Sequence, residues 1–214
     1  MLPVQEPVFW DIIDTFNKQG LLQYVMLVGS WAEYIYERSY FEGFAANLRT
    51  RDIDFLYRNT RRPTGRIEIF QALKDKGFIY TESRTTGVGK FVREELEIEI
   101  LVRVLGKGDP QHNRIPSLGL TGIGLREMNM LNDYPLVLEC NGYTLVVPEP
   151  EAYILQKLLI NPKRSNDKKV KDMQSIRGML EHVDKDRMHD ILARLNKKQI
   201  QTIKTVCEQN AVYF

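Results

Sequence analysis

The chain has 214 residues, 43% of them hydrophobic, and a formal net charge of +2. That supplies one sizeable core, arranged as one large domain or a domain with an appendage. No apolar run reaches the roughly 20 residues that a membrane-spanning helix needs, and the opening Met1-Leu-Pro-Val-Gln-Glu lacks the basic and apolar stretches of a secretory leader. Two isolated cysteines, Cys140 and Cys207, make neither a disulfide framework nor a zinc site. His112, His182 and His189 are too scattered for a His-rich metal cluster. The expected setting is a reduced, cytoplasmic one.

Along the chain, Glu6 to Gln19 carries Val8, Phe9, Ile12, Ile13 and Phe16 at helical spacing and is closed by Gly20. Tyr24 to Val28 is predicted to be a buried strand, Gly29-Ser30 a turn, and Trp31 to Tyr40 a helix. Ile53 to Tyr57 is predicted to be a strand, and Arg66 to Lys76 a helix ended by Gly77. Phe78 to Thr81 and Lys90 to Arg93 are predicted strands joined through Gly87-Val-Gly89. Leu96 to Val104 is a long predicted strand, and the Gly- and Pro-rich stretch from Leu105 to Leu120 is expected to be a loop. Asn141-Gly142 lies between two β-rich runs, Leu136 onward and up to Val147, which marks a type I′ hairpin. Pro148 and Pro150 stop the sheet and open a helix from Glu151 to about Ile160. Asn161 to Asp167 is expected to be a connector. Helices are predicted over Lys168 to Glu181, Lys185 to Leu195 and about Lys197 to Gln209. The expected architecture is an α/β (α+β) mixed-sheet catalytic domain over 1–147 and a helical subdomain over 148–214.

The chemistry concentrates in Arg51-Asp-Ile-Asp-Phe-Leu-Tyr57. Residues two apart in a strand share a face, so Asp52 and Asp54 project side by side while Ile53 and Phe55 enter the core. Two bare carboxylates repel each other, and oxygen-preferring Mg²⁺ is the cation suited to neutralise them. Upstream, the glycine of Gly29-Ser30 allows close backbone approach to a phosphate, and the following helix offers its positive end. Alone, such a pair is an ordinary strand-to-helix turn. Glu97-Ile-Glu-Ile-Leu-Val102 supplies a second acidic strand in which Glu97 and Glu99 share a face. A wet face of an amphipathic strand would look the same.

Gly29-Ser30, a helix-compatible stretch and then Asp52-Ile-Asp54 resemble the nucleotidyltransferase superfamily that includes DNA polymerase β. The resemblance implies that the Gly-Ser element holds a triphosphate, that Asp52 and Asp54 bind two metal ions, and that a third carboxylate assists the attacking hydroxyl. Glu99 fits the family's hydrophobic-acid-hydrophobic pattern, with Glu97 as the alternative. The implied cofactor is Mg²⁺, two ions, with Mn²⁺ as a substitute, and the implied substrate is an NTP such as ATP. Asn47-Leu-Arg-Thr-Arg-Asp-Ile-Asp-Phe55 is similar to the approach to the acidic strand in minimal bacterial and archaeal and toxin-type nucleotidyltransferases. Val147 to Leu159, Arg164 and Lys168-Lys-Val-Lys-Asp172 are similar to their C-terminal region. By that resemblance Lys157, Arg164, Lys168 and Lys171 face the nucleotide or acceptor, and Asp172 orients one of the lysines. The alternative is an ordinary basic helix surface, and Arg49 and Arg51 carry the same two readings. The 21-residue gap from Ser30 to Asp52 is longer than in many members, and the insertion Tyr40 to Ala46 is a candidate loop over the site.

Lys163 to Lys204 holds 12 Lys/Arg against 6 Asp/Glu, which leaves the rest of the chain acidic. Such a tail suits a polyanion such as RNA, or simply a solvated helical surface. Gly87-Val-Gly89-Lys90 lacks the spacing of a phosphate-binding loop and is expected to be a hairpin turn, as is Gly119 to Gly124. Trp10 and Trp31 are expected to be packed aromatics. The function expected is metal-dependent transfer of an NMP from an NTP to an acceptor hydroxyl on RNA, a protein or a small molecule. The alternative is a non-catalytic nucleotide- or RNA-binding module, or a toxin–antitoxin component, on the same fold.

Overall fold

A computed structural model describes residues 5–46, 50–58, 63–104 and 113–214. Arg49 and His112 lie outside the described residues. The first helix, α1 (Gln5–Lys18), buries Val8, Phe9, Ile12, Ile13 and Phe16 on one side, as its periodicity requires. A single 3₁₀ turn leads into β1 (Val25–Val28), all four residues of which are buried. After Gly29 comes α2 (Ser30–Ser39), then β2 (Asp52–Tyr57) and α3 (Ile69–Asp75). The hairpin β3 (Ile79–Glu82) and β4 (Gly89–Val92) precedes the long β5 (Glu97–Arg103).

Among the described residues the main sheet runs β1-β2-β5-β4-β3. β1 is antiparallel to β2, and β2 is parallel to β5. Helix α3 is shorter than expected, because Ile67 is drawn off by a backbone hydrogen bond to the Ser117 carbonyl at 2.8 Å. The expected loop ending at Leu120 holds regular structure in its described part: β6 (Arg114–Ile115) and β7 (Leu120–Thr121) form a small antiparallel ribbon. Residues 105–112 of that stretch lie outside the described set. Two elements escaped the sequence patterns, β8 (Ile123–Leu125), which pairs in parallel with β5, and α4 (Asn129–Asp133). Both are too short to show a period.

The strands β9 (Pro135–Cys140) and β10 (Tyr143–Pro148) form the expected hairpin. Asn141 and Gly142 have φ of +51° and +80°, as a type I′ turn demands. Helix α5 (Pro150–Ile160) is buried almost all round and makes contact with α4, α6 (Asn166–Met179), α7 (Lys185–Ala193) and α8 (Lys197–Asn210). One hydrophobic cluster runs from Val8 to Val212 and takes in both the sheet and α5. Trp31 is fully buried and stacks on Phe9 with ring centroids 4.4 Å apart, so the packed-aromatic expectation holds for it. Trp10 is partly buried and stacks on Tyr143. No helix among the described residues is long and apolar enough to cross a membrane.

Candidate active site

A cavity of about 450 Å³ opens where the β1–α2 turn, β2, β5 and the C-terminal helices meet. Gly29, Ser30, Asp52, Asp54, Glu99, Lys157, Arg164, Lys168 and Lys171 all line it. Residues separated by up to 142 positions thus share one wall. Parallel pairing sets Asp52 opposite Glu97 and Asp54 opposite Glu99.

Both glutamates thus lie beside the aspartates, and their side chains have different surroundings. Glu97 is engaged by Lys90 through a short hydrogen bond and by Arg51 at 3.7 Å, and it does not line the cavity. Arg51 also donates to the Arg93 carbonyl at 3.1 Å, so it is directed to that cluster. Glu99 lines the cavity.

Gly29 has a φ of +70° and a ψ of −159°, a region essentially reserved for glycine. A Cβ there would stand 2.7 Å from Asp54 Oδ2. The backbone turn and the carboxylate therefore occupy one tight cradle that a side chain would fill. Ser30 Oγ lies 3.2 Å from Thr50 Oγ1, which in turn donates to the Asp52 carbonyl at 3.2 Å. These bonds tie the start of α2 to the start of β2.

Burial and neighbouring acids raise the proton affinity of Asp54 and Glu99. Burial, then Glu99 and Asp52, pushes the Asp54 pKa up to about 7, against the pull of Lys168 and Arg164. Burial, then Asp52, also raises Glu99. A concentrated, partly desolvated negative charge of this kind favours a bound cation. The donors are all oxygen, which suits a hard divalent ion held by one or two carboxylates plus substrate phosphates. Among the described residues no group of three or more His, Cys, Asp or Glu side chains is arranged to hold a metal ion by itself.

A buried polar layer lies beneath the cavity. Glu33 of α2 is 1% exposed and accepts from Tyr153 Oη at 2.9 Å and Ser175 Oγ at 2.6 Å. Lys157 Nζ stands 3.5 Å from Glu33 and 3.1 Å from Asp172. Asp172 also accepts from Arg164 Nε at 3.0 Å. Lys157 is thus locked between two buried carboxylates, whereas Lys168 and Lys171 make no ion pair among the described residues. The expected salt bridge from Asp172 to a lysine is made to Lys157, and Arg164 shares the carboxylate. Sequence reading missed Glu33, Tyr153, Gln156 and Ser175. The only signal was a polar residue inside an otherwise apolar helical run, as in Trp31-Ala-Glu-Tyr-Ile35.

The insertion Tyr40 to Ala46 contributes no residue to the cavity wall. Phe41 and Phe44 pack against His182, with ring centroids 5.5 and 5.4 Å away, and Phe44 is buried. Aromatic burial directs this segment to the α6–α7 junction, so it does not lie over the site.

A family model described as nucleotidyltransferase matches residues 9–201. The chain belongs to the nucleotidyltransferase family. Among solved structures, an antigenic nucleotidyltransferase-like protein from Paracoccidioides brasiliensis superposes with a TM-score of 0.56. The match has 16% identity and covers 94% of this chain and 88% of that one. At that identity it speaks for the fold alone. No curated protein matches the chain. The family assignment agrees with the mixed sheet and flanking helices, and supports a nucleotidyltransferase-type function.

Proposed function

We propose that the protein is an Mg²⁺-dependent nucleotidyltransferase that moves an NMP from an NTP to an acceptor hydroxyl and releases pyrophosphate. The observation that carries the proposal is the convergence of Gly29-Ser30, Asp52, Asp54, Glu99 and the Arg164 and Lys168 cations on one cavity. Divalent cations held by Asp52, Asp54 and Glu99 would offset phosphate charge and polarise the reacting oxygens.

The protein's own groups account for the rest. The N-terminal end of α2, with Ser30 Oγ, would hold phosphate oxygens. Arg164 and Lys168 are placed to offset the triphosphate charge. The new bond joins the acceptor oxygen to the α-phosphorus, and the bond to the bridging oxygen of the leaving pyrophosphate breaks. Glu99 is positioned to take the acceptor proton, and the neighbouring acids that raise its proton affinity favour that step. Lys157, held by Glu33 and Asp172, braces the α5–α6 corner that presents Arg164. The basic stretch from Lys163 to Lys204 suits a nucleic-acid acceptor, while protein and small-molecule hydroxyls fit the same chemistry.

The test is transfer from each α-labelled NTP with Mg²⁺, alone and with cell extract, beside Asp54→Ala. Label that moves to an acceptor only with the wild type supports the proposal. Equal labelling by the variant, or salt-sensitive RNA binding with no transfer, overturns it.

A further inference from the structure

Strand register continues the row of acids across the sheet. Residues directly opposite each other in neighbouring strands share a face. Asp54 lies opposite Glu99, Glu99 opposite Lys90, and Lys90 opposite Thr81. The adjacent row is Asp52, Glu97, Val92 and Ile79. The other face of β4 and β3 is spent on the core. There Phe91 is 1% exposed and meets Phe70 of α3 edge to face, as does Tyr80. The outer face is open among the described residues. Thr81 is exposed, Ile79 is 70% exposed, and the Lys90 side chain is 40% exposed. None of Lys90, Thr81, Val92 and Ile79 lines the cavity. Neighbouring strands are about 4.8 Å apart, so an open ledge reaches about 10 Å beyond Glu99.

The order of the sheet limits what this ledge can serve. The Gly29-Ser30 turn follows β1, and the order β1-β2-β5-β4-β3 puts that turn and the ledge on opposite sides of the carboxylates. In phosphoryl transfer the attacking and leaving oxygens lie roughly in line, with the phosphorus between them. With pyrophosphate leaving towards Gly29-Ser30, the acceptor hydroxyl comes from the β5–β4 side, across the ledge.

We propose that the open face of β4 and β3 is the docking surface for the acceptor, and that the acceptor is a protein modified on a hydroxyl side chain. The inference rests on the transferase function proposed for the adjoining cavity. Small molecules are held in concave pockets, and this face lies outside the cavity. Single-stranded nucleic acid is held by aromatic rings that stack on bases and by cations that neutralise phosphates. Here both aromatic side chains of β3 and β4, Tyr80 and Phe91, turn to the other face. The nearby cations are already matched, Lys90 by Glu97, and Arg51 by Glu97 and the Arg93 carbonyl. What remains is apolar Ile79 and Val92 beside the Thr81 hydroxyl and a neutralised ion pair. An apolar centre with a polar rim is the make-up of a protein–protein contact. The acceptor hydroxyl gives its proton to Glu99, its oxygen bonds to the α-phosphorus of the NMP group, and pyrophosphate leaves.

The test is labelling of a whole-cell extract by the full-length protein with each α-labelled NTP and Mg²⁺, counting only label that Asp54→Ala fails to transfer. The wild type should label bands that protease removes and nuclease does not. Ile79→Glu combined with Thr81→Glu changes two exposed side chains outside the cavity and should lower that labelling about tenfold or more. Its affinity for Mg²⁺–NTP, read by calorimetry, should stay within about twofold of wild type. Label carried by nuclease-sensitive or small-molecule products overturns the assignment, as does protein labelling that the double variant retains. If NTP binds and nothing is labelled, the protein acceptor falls while nucleotide binding in the cavity stands. If no NTP binds, the transferase reading falls with it. Should the double variant lose its melting transition, Ile79→Ser alone is read in the same way.

Discussion

Gly29 and Asp54 approach so closely that a Cβ on the glycine would stand 2.7 Å from the carboxylate Oδ2. The β1–α2 turn and the acidic strand are therefore one built unit. Gly29→Ala should displace Asp54 and strain the backbone, which at a φ of +70° costs on the order of 1–3 kcal/mol. Urea denaturation should show that loss, and NTP transfer should fall more than a hundredfold. A variant with wild-type transfer would show that the close approach is incidental.

Asp54 makes stability depend on pH. Its pKa in the folded protein is about 7, against 3.8 for the free side chain. Between those values the folded state binds the proton and the unfolded state does not, so stability falls as pH rises from about 4 to 7. The effect for this one group is on the order of 4 kcal/mol at most. In the presence of a chelator, melting temperature should fall across that range and level off above it. Asp54→Asn should flatten the profile and stabilise the protein at pH 8 while removing activity. Added Mg²⁺ should raise the wild-type melting temperature more at pH 8 than at pH 5.

The two glutamates of β5 should behave differently. Glu99→Gln is expected to lower transfer by about 10²–10⁴-fold, the range for a group that takes a proton. Glu97→Gln breaks contacts with Lys90 and Arg51 outside the cavity. Its transfer rate should stay within about fivefold of wild type, since such half-exposed pairs contribute about 1 kcal/mol or less. Steady-state rates for the two variants, measured side by side, decide the assignment.

Lys157 and Arg164 line the same cavity but should fail in different ways. Lys157 is 13% exposed between Glu33 and Asp172, which are each 2% exposed at the side chain. Lys157→Met leaves the buried Glu33 without its cation and Asp172 with Arg164 alone, and should cost about 3–5 kcal/mol of stability. Arg164 is 35% exposed and shares Asp172 with Lys157. Arg164→Ala should leave the melting temperature within a few degrees and raise the KM for NTP about tenfold. Melting curves and KM values together distinguish bracing from binding.

Residue order alone determined the helices with strong periods, the Asn141-Gly142 hairpin and the acidic strand. It also placed Asp52 and Asp54 on one face, because a strand has a period of two. It brought Gly29-Ser30 into the same reading through a family pattern. Glu99 was preferred over Glu97 through the family pattern alone, since both share a face; that Lys90 and Arg51 engage Glu97 is set by the tertiary structure. The same is true of Glu33, which meets Ser175 across 142 residues, and of Gln156, whose side-chain nitrogen donates to the Glu127 carbonyl. The insertion at Tyr40 to Ala46 was expected over the site, yet His182 offers its aromatic rings a surface elsewhere. Local periodicity reports which way a side chain faces. Which partner meets it there is set by long-range packing, and that was decided only by the tertiary structure.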